Sequence, residues 1–151
     1  MRVVIQRVSE AKVTVGGKVI SAIEKGMLIL VGIEDADTDE DVDYLVRKIV
    51  GLRIFDDQDG IMNLSVQDVS GDLLVVSQFT LHANTKKGNR PSYIRASRPE
   101  HAVPMYHKFI DKLEKTTGRK AGAGVFGAMM DVSLVNDGPV TIIMDSKQKD
   151  L

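Results

Sequence analysis

The sequence has 151 residues, 43% of them hydrophobic and 27% charged, with a formal net charge of −1. That length fits a single globular domain over 1–151, able to bury roughly 70% of its unfolded surface without a covalent staple. There is no cysteine, which excludes disulfides, thiolate nucleophiles, iron–sulfur clusters and cysteine-bound zinc.

The opening Met1-Arg2-Val3-Val4-Ile5-Gln6-Arg7 carries no long apolar stretch of the kind a signal peptide needs. The longest apolar run, Met27 to Val31 followed by Gly32-Ile33, falls far short of a membrane span, so the expectation is a soluble cytoplasmic protein. Residues 2–8 and 11–15 are rich in Val and Ile, and a second β-prone run, Lys18 to Ile23, follows Gly16-Gly17. Two such runs across a Gly-Gly pair predict a hairpin. Gly26 to Ile33 reads as a buried strand. A helix is predicted over 38–51, with Thr38 as N-cap, acids in the first turn, and Val42, Leu45, Val46 and Ile49 on one face. Gly51 is its natural stop. Arg53-Ile54-Phe55 then runs into a turn at Asp56-Asp57-Gln58-Asp59-Gly60.

Asp72 to Leu81 opens as another buried strand, and a long polar loop follows from His82 to Ser97. Loops of that length in compact domains are usually functional or disordered. Ser97-Arg98-Pro99-Glu100 predicts a capping box opening a second helix, with Tyr106, Phe109, Ile110 and Leu113 at helical spacing and Pro104 expected to kink or delay it. Gly118 to Gly127 is glycine-rich, and Val132–Val135 and Val140–Met144 read as two strands joined by Asn136-Asp137-Gly138-Pro139. This order predicts an α+β fold with a mainly antiparallel or mixed sheet. The charges segregate: Glu34 to Asp43 holds seven acids and no base, whereas Leu73 to Pro99 holds no acid but has Lys86, Lys87, Arg90, Arg95 and Arg98. Such a local basic loop attracts phosphates even when the total charge is near zero.

Several motifs match by letter and fail by context. Gly122-Ala123-Gly124-Val125-Phe126-Gly127 fits a dinucleotide fingerprint, but it follows a helix and precedes strands, the reverse of a βαβ unit. Asp57-Gln58-Asp59-Gly60 resembles part of a calcium loop, yet the first and twelfth ligand positions fall on Phe55 and Val66. His82, His101 and His107 have no metal-ligand spacing. Ser77 and Thr80 are hydroxyls at a strand end beside the long loop, where active sites often lie, though such hydroxyls also serve simply to satisfy backbone groups.

Taken together, Ser77-Gln78-Phe79-Thr80-Leu81 and Asn136-Asp137-Gly138-Pro139-Val140-Thr141 resemble the SQFTL and NxGPxT motifs of the D-aminoacyl-tRNA deacylases. The resemblance covers the whole chain, including its first eight residues, the Gly88-Asn89-Arg90-Pro91-Ser92-Tyr93 loop and Phe126-Gly127-Ala128-Met129. It implies an α+β fold with a sheet curled towards a barrel and two main helices. It also implies a homodimer, and hydrolysis of the ester between a D-amino acid (or glycine) and tRNA, with no metal or organic cofactor.

The same resemblance implies site residues. Ser77, Gln78, Phe79 and Thr80 would form the catalytic segment, with backbone N–H groups around Gln78, Phe79 and Thr80 as oxyanion donors and Thr80 as either nucleophile or orienting hydroxyl. Gly138 and Pro139, joined by a cis peptide in the family, would reach into the partner subunit's pocket and exclude L side chains. Lys86, Lys87, Arg90 and Arg95 would hold acceptor-stem phosphates. Phe126 and Met129 would lie against the terminal adenine or, equally, pack in the core. Two other readings remain open from the sequence: a non-catalytic RNA-binding module using the basic loop, and a threonyl-tRNA editing domain that removes L-serine.

Overall fold

The computed structural model describes all 151 residues. Its elements in chain order are β1 (Arg2–Val15), β2 (Lys18–Ile23), β3 (Gly26–Gly32), α1 (Asp39–Gly51), β4 (Phe55–Asp56), β5 (Met62–Leu64), β6 (Asp72–Ser77), a 3-10 turn (Phe79–His82), α2 (Pro99–Thr117), β7 (Gly122–Ala123) and β8 (Asp131–Asp145). The main sheet runs β2-β1-β3-β6-β7, with β8 on β1. β3 with β6 and β6 with β7 are parallel, and the other pairs are antiparallel.

β1 is the spine. Its first half, Arg2 to Val8, pairs with β3, its second half, Ala11 to Val15, with β2, and β8 follows it along nearly its whole length. One strand serving two partners in succession curls the mixed sheet until it is nearly closed. The curl explains why β3 and β6 are apolar throughout. Successive side chains of a strand point to opposite faces. In β3, Met27, Ile29 and Val31 face the core beneath the helices, and Leu28 faces a second core inside the curl. In β6, Leu73 and Val75 take the first side, and Leu74 and Val76 the second. Both faces are buried, so alternation disappears from the sequence.

The helices cover the first core. α1 begins after Thr38, whose N–H donates to the Asp41 carboxylate at 2.8 Å, and buries Val42, Leu45, Val46 and Ile49. α2 buries Met105, Tyr106, Phe109 and Leu113. The Tyr106 hydroxyl donates to the Val75 carbonyl at 2.9 Å, tying helix to sheet, and burial pushes the phenol up to about 12. No helix is long and apolar enough to cross a membrane.

Three local expectations are corrected. The expected capping box of α2 does not form: Arg98 is the N-cap with no side-chain cap bond, and the Ser97 hydroxyl donates instead to Asp35 at 2.7 Å. α2 runs on through Pro104, whose missing N–H leaves only the carbonyl of exposed Glu100 to be solvated. The two predicted C-terminal strands are one strand, β8, because both halves pair with β1. The Val- and Ile-rich stretches at 2–8 and 11–15 are continuous in β1.

Candidate active site

The end of β6 delivers Ser77 to the mouth of a pocket of about 300 Å³. Ser77, Gln78 and Phe79 line one side, Phe126, Gly127, Ala128, Met129 and Met130 another, and Ile33 and Ser97 close it. Phe126 packs on Tyr106 at 5.8 Å between ring centroids, so it is both core and pocket wall. Met129 is 91% exposed and has no part in the core.

The strand ends because the chain tightens into the 3-10 turn. The Gln78 N–H donates to the Val31 carbonyl at 2.8 Å, a last ladder bond that removes this group from the oxyanion donors expected from the sequence. Phe79 and Thr80 open the turn, and the first N–H groups of any helix lack intrahelical acceptors. The Gln78 side-chain amide donates to the Thr80 hydroxyl oxygen. That oxygen therefore accepts from an amide, and no base stands among its hydrogen-bond partners. Phe79 is half exposed and meets Tyr93 edge-on, with centroids 5.1 Å apart, which carries the loop back over the turn.

A second feature interrupts β8. Val8 pairs with Asn136 and Gln6 with Thr141, so Asp137, Gly138, Pro139 and Val140 loop out opposite the single residue Arg7. The bend is braced from within the motif. The Asn136 side-chain oxygen accepts from Val140 N–H at 2.9 Å, and its amide donates to the Thr141 hydroxyl at 3.0 Å, which Gln6 also reaches at 3.3 Å. From beneath, nearly buried Arg7 donates to the Asp137 carbonyl at 3.0 Å and to the Ile54 carbonyl at 2.7 Å. The Arg7 guanidinium also lies 3.4 Å from Asp56 and 3.5 Å from the Asp137 carboxylate. The Gly138-Pro139 peptide is cis, and Gly138 has φ +132°, a conformation open to glycine. A Cβ there would stand 2.9 Å from the Arg7 guanidinium and from Val140. Gly138 and Pro139 are exposed and do not line the pocket beside Ser77 of their own chain.

The expected basic loop is pinched shut by paired bonds between Asn84 and Ser92, 2.8 and 2.9 Å. Lys86, Lys87 and Arg90 project from its exposed tip, and Arg95 from its root, where Ala96 bridges Glu34.

A family model described as D-Tyr-tRNA(Tyr) deacylase matches residues 4–145. The chain belongs to that deacylase family. A protein named D-aminoacyl-tRNA deacylase from Flavobacterium johnsoniae is 63% identical over 150 residues, covering 99% of this chain and all of that one. Its namesake from Bacteroides thetaiotaomicron is 59% identical over the same coverage. Among solved structures, one described as c-Myc DNA Unwinding Element Binding Protein superposes with a TM-score of 0.90 at 43% identity, covering 96% of this chain and 98% of that one. Another, described as a probable eukaryotic D-amino acid tRNA deacylase, reaches 0.82 at 17% identity, covering 95% and 97%, and shares the fold.

Of the deacylase residues expected from the sequence, the structure brings Ser77, Gln78, Phe79, Phe126 and Met129 to one pocket, with Thr80 on the adjoining turn. Gly138-Pro139 and the lysines stand apart from it within the chain. Sequence reasoning missed Arg7, Gln6 and Tyr93. A signal existed for the first: a charged residue within the apolar run Val3 to Val8 needs partners if it is buried.

Proposed function

We propose that the chain hydrolyses the ester linking a D-amino acid or glycine to the terminal ribose of tRNA, and spares L-aminoacyl-tRNA, as a chiral proofreading enzyme of translation. Water adds to the ester carbonyl carbon, and the developing oxyanion accepts from the Phe79 and Thr80 N–H groups. The bond from carbonyl carbon to ribose oxygen then breaks, the ribose oxygen takes up a proton, and free amino acid and tRNA leave. The substrate's α-ammonium already activates the carbonyl, so placement and oxyanion stabilisation suffice, with the neighbouring ribose hydroxyl orienting the water. Thr80 orients and does not attack, since its hydroxyl has an amide neighbour and no base.

The observation that carries the reading is the braced bend at Gly138-Pro139. At Gly138 and Pro139 it offers no functional side-chain group, only backbone polar atoms on a braced support, and both residues are exposed on their own chain. In a homodimer it would enter the pocket beside Ser77 of the partner. There its carbonyls take the α-ammonium and leave no room on the face where an L side chain would stand, which is selection by clash. Lys86, Lys87, Arg90 and Arg95 bind acceptor-stem phosphates, and Phe126 and Met129 hold the unstacked terminal base.

The test is parallel release of D-tyrosine, L-tyrosine and glycine from charged tRNA, with dimerisation followed by sedimentation. Release of D-tyrosine and glycine with L-tyrosine spared supports the reading. Comparable release of L-tyrosine, or no release at all, contradicts it.

A further inference from the structure

His82 closes the 3-10 turn and is 3% exposed. Its Nε2 is buried with no partner. An apolar side chain would fill that space without stranding a nitrogen, so what the imidazole adds lies at its other nitrogen. Nδ1 is 3.4 Å from Glu34 Oε1. The same oxygen is 3.7 Å from Arg95 Nε. Both separations exceed the roughly 2.7–3.2 Å of a formed N–H to oxygen bond. One carboxylate oxygen is thus stretched between a buried group on the catalytic turn and an exposed one on the basic loop, and fully satisfies neither.

The surroundings make Glu34 a fixed pivot. Its N–H donates to Asp37 at 2.8 Å, it bridges Ala96, and Ser97 N–H donates to the Ile33 carbonyl at 2.8 Å. His82 also lies close against the end of β3: a Cβ on Gly32 would meet His82 Cδ2 and the Gln78 carbonyl at 3.0 Å. On the other side Arg2, paired with Asp145 at 2.9 Å, donates to the Leu81 carbonyl at 3.2 Å. The Arg95 side chain is 62% exposed and free to turn outward.

We propose that Glu34 couples acceptor-stem binding to the catalytic turn. When an RNA phosphate draws Arg95 away, the Glu34 carboxylate closes on His82 Nδ1–H and fixes the turn that presents the Phe79 and Thr80 N–H groups. Glu34 and His82 are positioning residues, and Arg95 is a restraint released by the substrate's own phosphates. The proposal rests on the deacylase reading above.

The coupling separates two substrates. D-tyrosyl-tRNA carries the acceptor stem, whereas D-tyrosyl-adenosine, with the same ester, has no phosphate for Arg95. Arg95→Ala should therefore hydrolyse D-tyrosyl-adenosine about fivefold faster than wild type while binding tRNA more weakly. A merely phosphate-binding arginine would leave the nucleoside ester unaffected. His82→Phe should slow single-turnover cleavage of D-tyrosyl-tRNA about tenfold at unchanged tRNA affinity. His82→Asn, whose amide can donate where Nδ1 does, should recover most of that loss. An unchanged nucleoside-ester rate in Arg95→Ala overturns the coupling even if His82→Phe fails to fold, because Arg95 is a surface residue. If wild type cleaves neither substrate, the deacylase reading itself falls, and the coupling with it.

Discussion

Gly32→Ala isolates the catalytic turn from the rest of the fold. Gly32 ends β3, and an added Cβ would stand 3.0 Å from the Gln78 carbonyl oxygen, 3.0 Å from His82 Cδ2 and 3.1 Å from Leu81 Cβ. All three belong to the 78–82 segment. Ordinary contact begins near 3.4 Å, so the segment must retreat by about 0.4 Å, close to the roughly 0.5 Å tolerance of a productive site. A displacement of about 1 Å can cost about a hundredfold in rate, so about tenfold is expected here. Stability should change little. Crowding costs about 1–3 kcal/mol, and the loss of glycine's freedom in the unfolded chain returns about 0.4–1 kcal/mol. The net loss of about 1 kcal/mol lowers Tm by about 2–4 °C. The assay is single-turnover release of D-tyrosine from tRNA, beside tRNA affinity and thermal melting. A folded variant with a rate within about twofold of wild type would refute the placement of the oxyanion donors on this turn. Gly26→Ala is the contrasting case: its Cβ would overlap the Asp72 backbone, and the protein should fail to fold.

Thr80→Ala should retain activity within about a hundredfold of wild type, whereas removal of a true nucleophile costs about a millionfold; an acyl-enzyme trapped on Thr80 would reverse the assignment. Lys86→Ala with Lys87→Ala should weaken tRNA binding and reduce its salt dependence by up to about 0.9 in logarithmic slope for each phosphate no longer neutralised, with D-over-L selectivity unchanged; an unaltered slope would place the loop away from RNA. Acid should also uncover one structural carboxylate. Burial pushes the Asp41 carboxyl up, but the Ser146 hydroxyl, the Thr38 N–H and the Lys147 ammonium outweigh it and hold the group at about 2, below its ordinary 3.8. The stabilisation, on the order of 2 kcal/mol, is complete above the ordinary value and is lost as pH falls through about 2. Asp41→Asn should forfeit it at neutral pH and flatten that part of the acid unfolding curve, and an unchanged curve would show the carboxylate to be idle.

What the sequence disclosed was local. The Gly16-Gly17 hairpin, the Thr38 start of α1 and the buried strand at 26–32 follow from turn chemistry, capping and apolar runs, each contained within a few neighbouring residues. What it withheld depends on partners far along the chain. β1 and β8 each read as two runs, because Ser9-Glu10 and the Gly138-Pro139 bend interrupt the apolar pattern where the two strands bulge against each other. The role of Ser97 is not legible locally because Asp35, 62 residues away, takes its hydroxyl. The two motifs drew attention to Ser77–Leu81 and Asn136–Thr141, but the arginine that braces the second and the Glu34–His82 pair behind the first lie outside them. Gly32 looked like the tail of an apolar run, and only the returning turn makes its missing side chain consequential.

The most direct measurement is the relative deacylation of D-alanyl-, glycyl- and L-alanyl-tRNA by wild-type protein. Gly138 and Pro139 carry no functional side-chain group, so any selection there works by backbone shape. Exclusion by clash cannot refuse a substrate without a side chain, yet it refuses one with a single methyl on the wrong face. A pocket that instead attracted D side chains would separate substrates differing by one methyl by only about 1–3 kcal/mol. The account predicts that D-alanine and glycine are released while L-alanine stays on its tRNA. Cleavage of L-alanyl-tRNA as fast as glycyl-tRNA, or sparing of glycine while D-alanine is released, would contradict it.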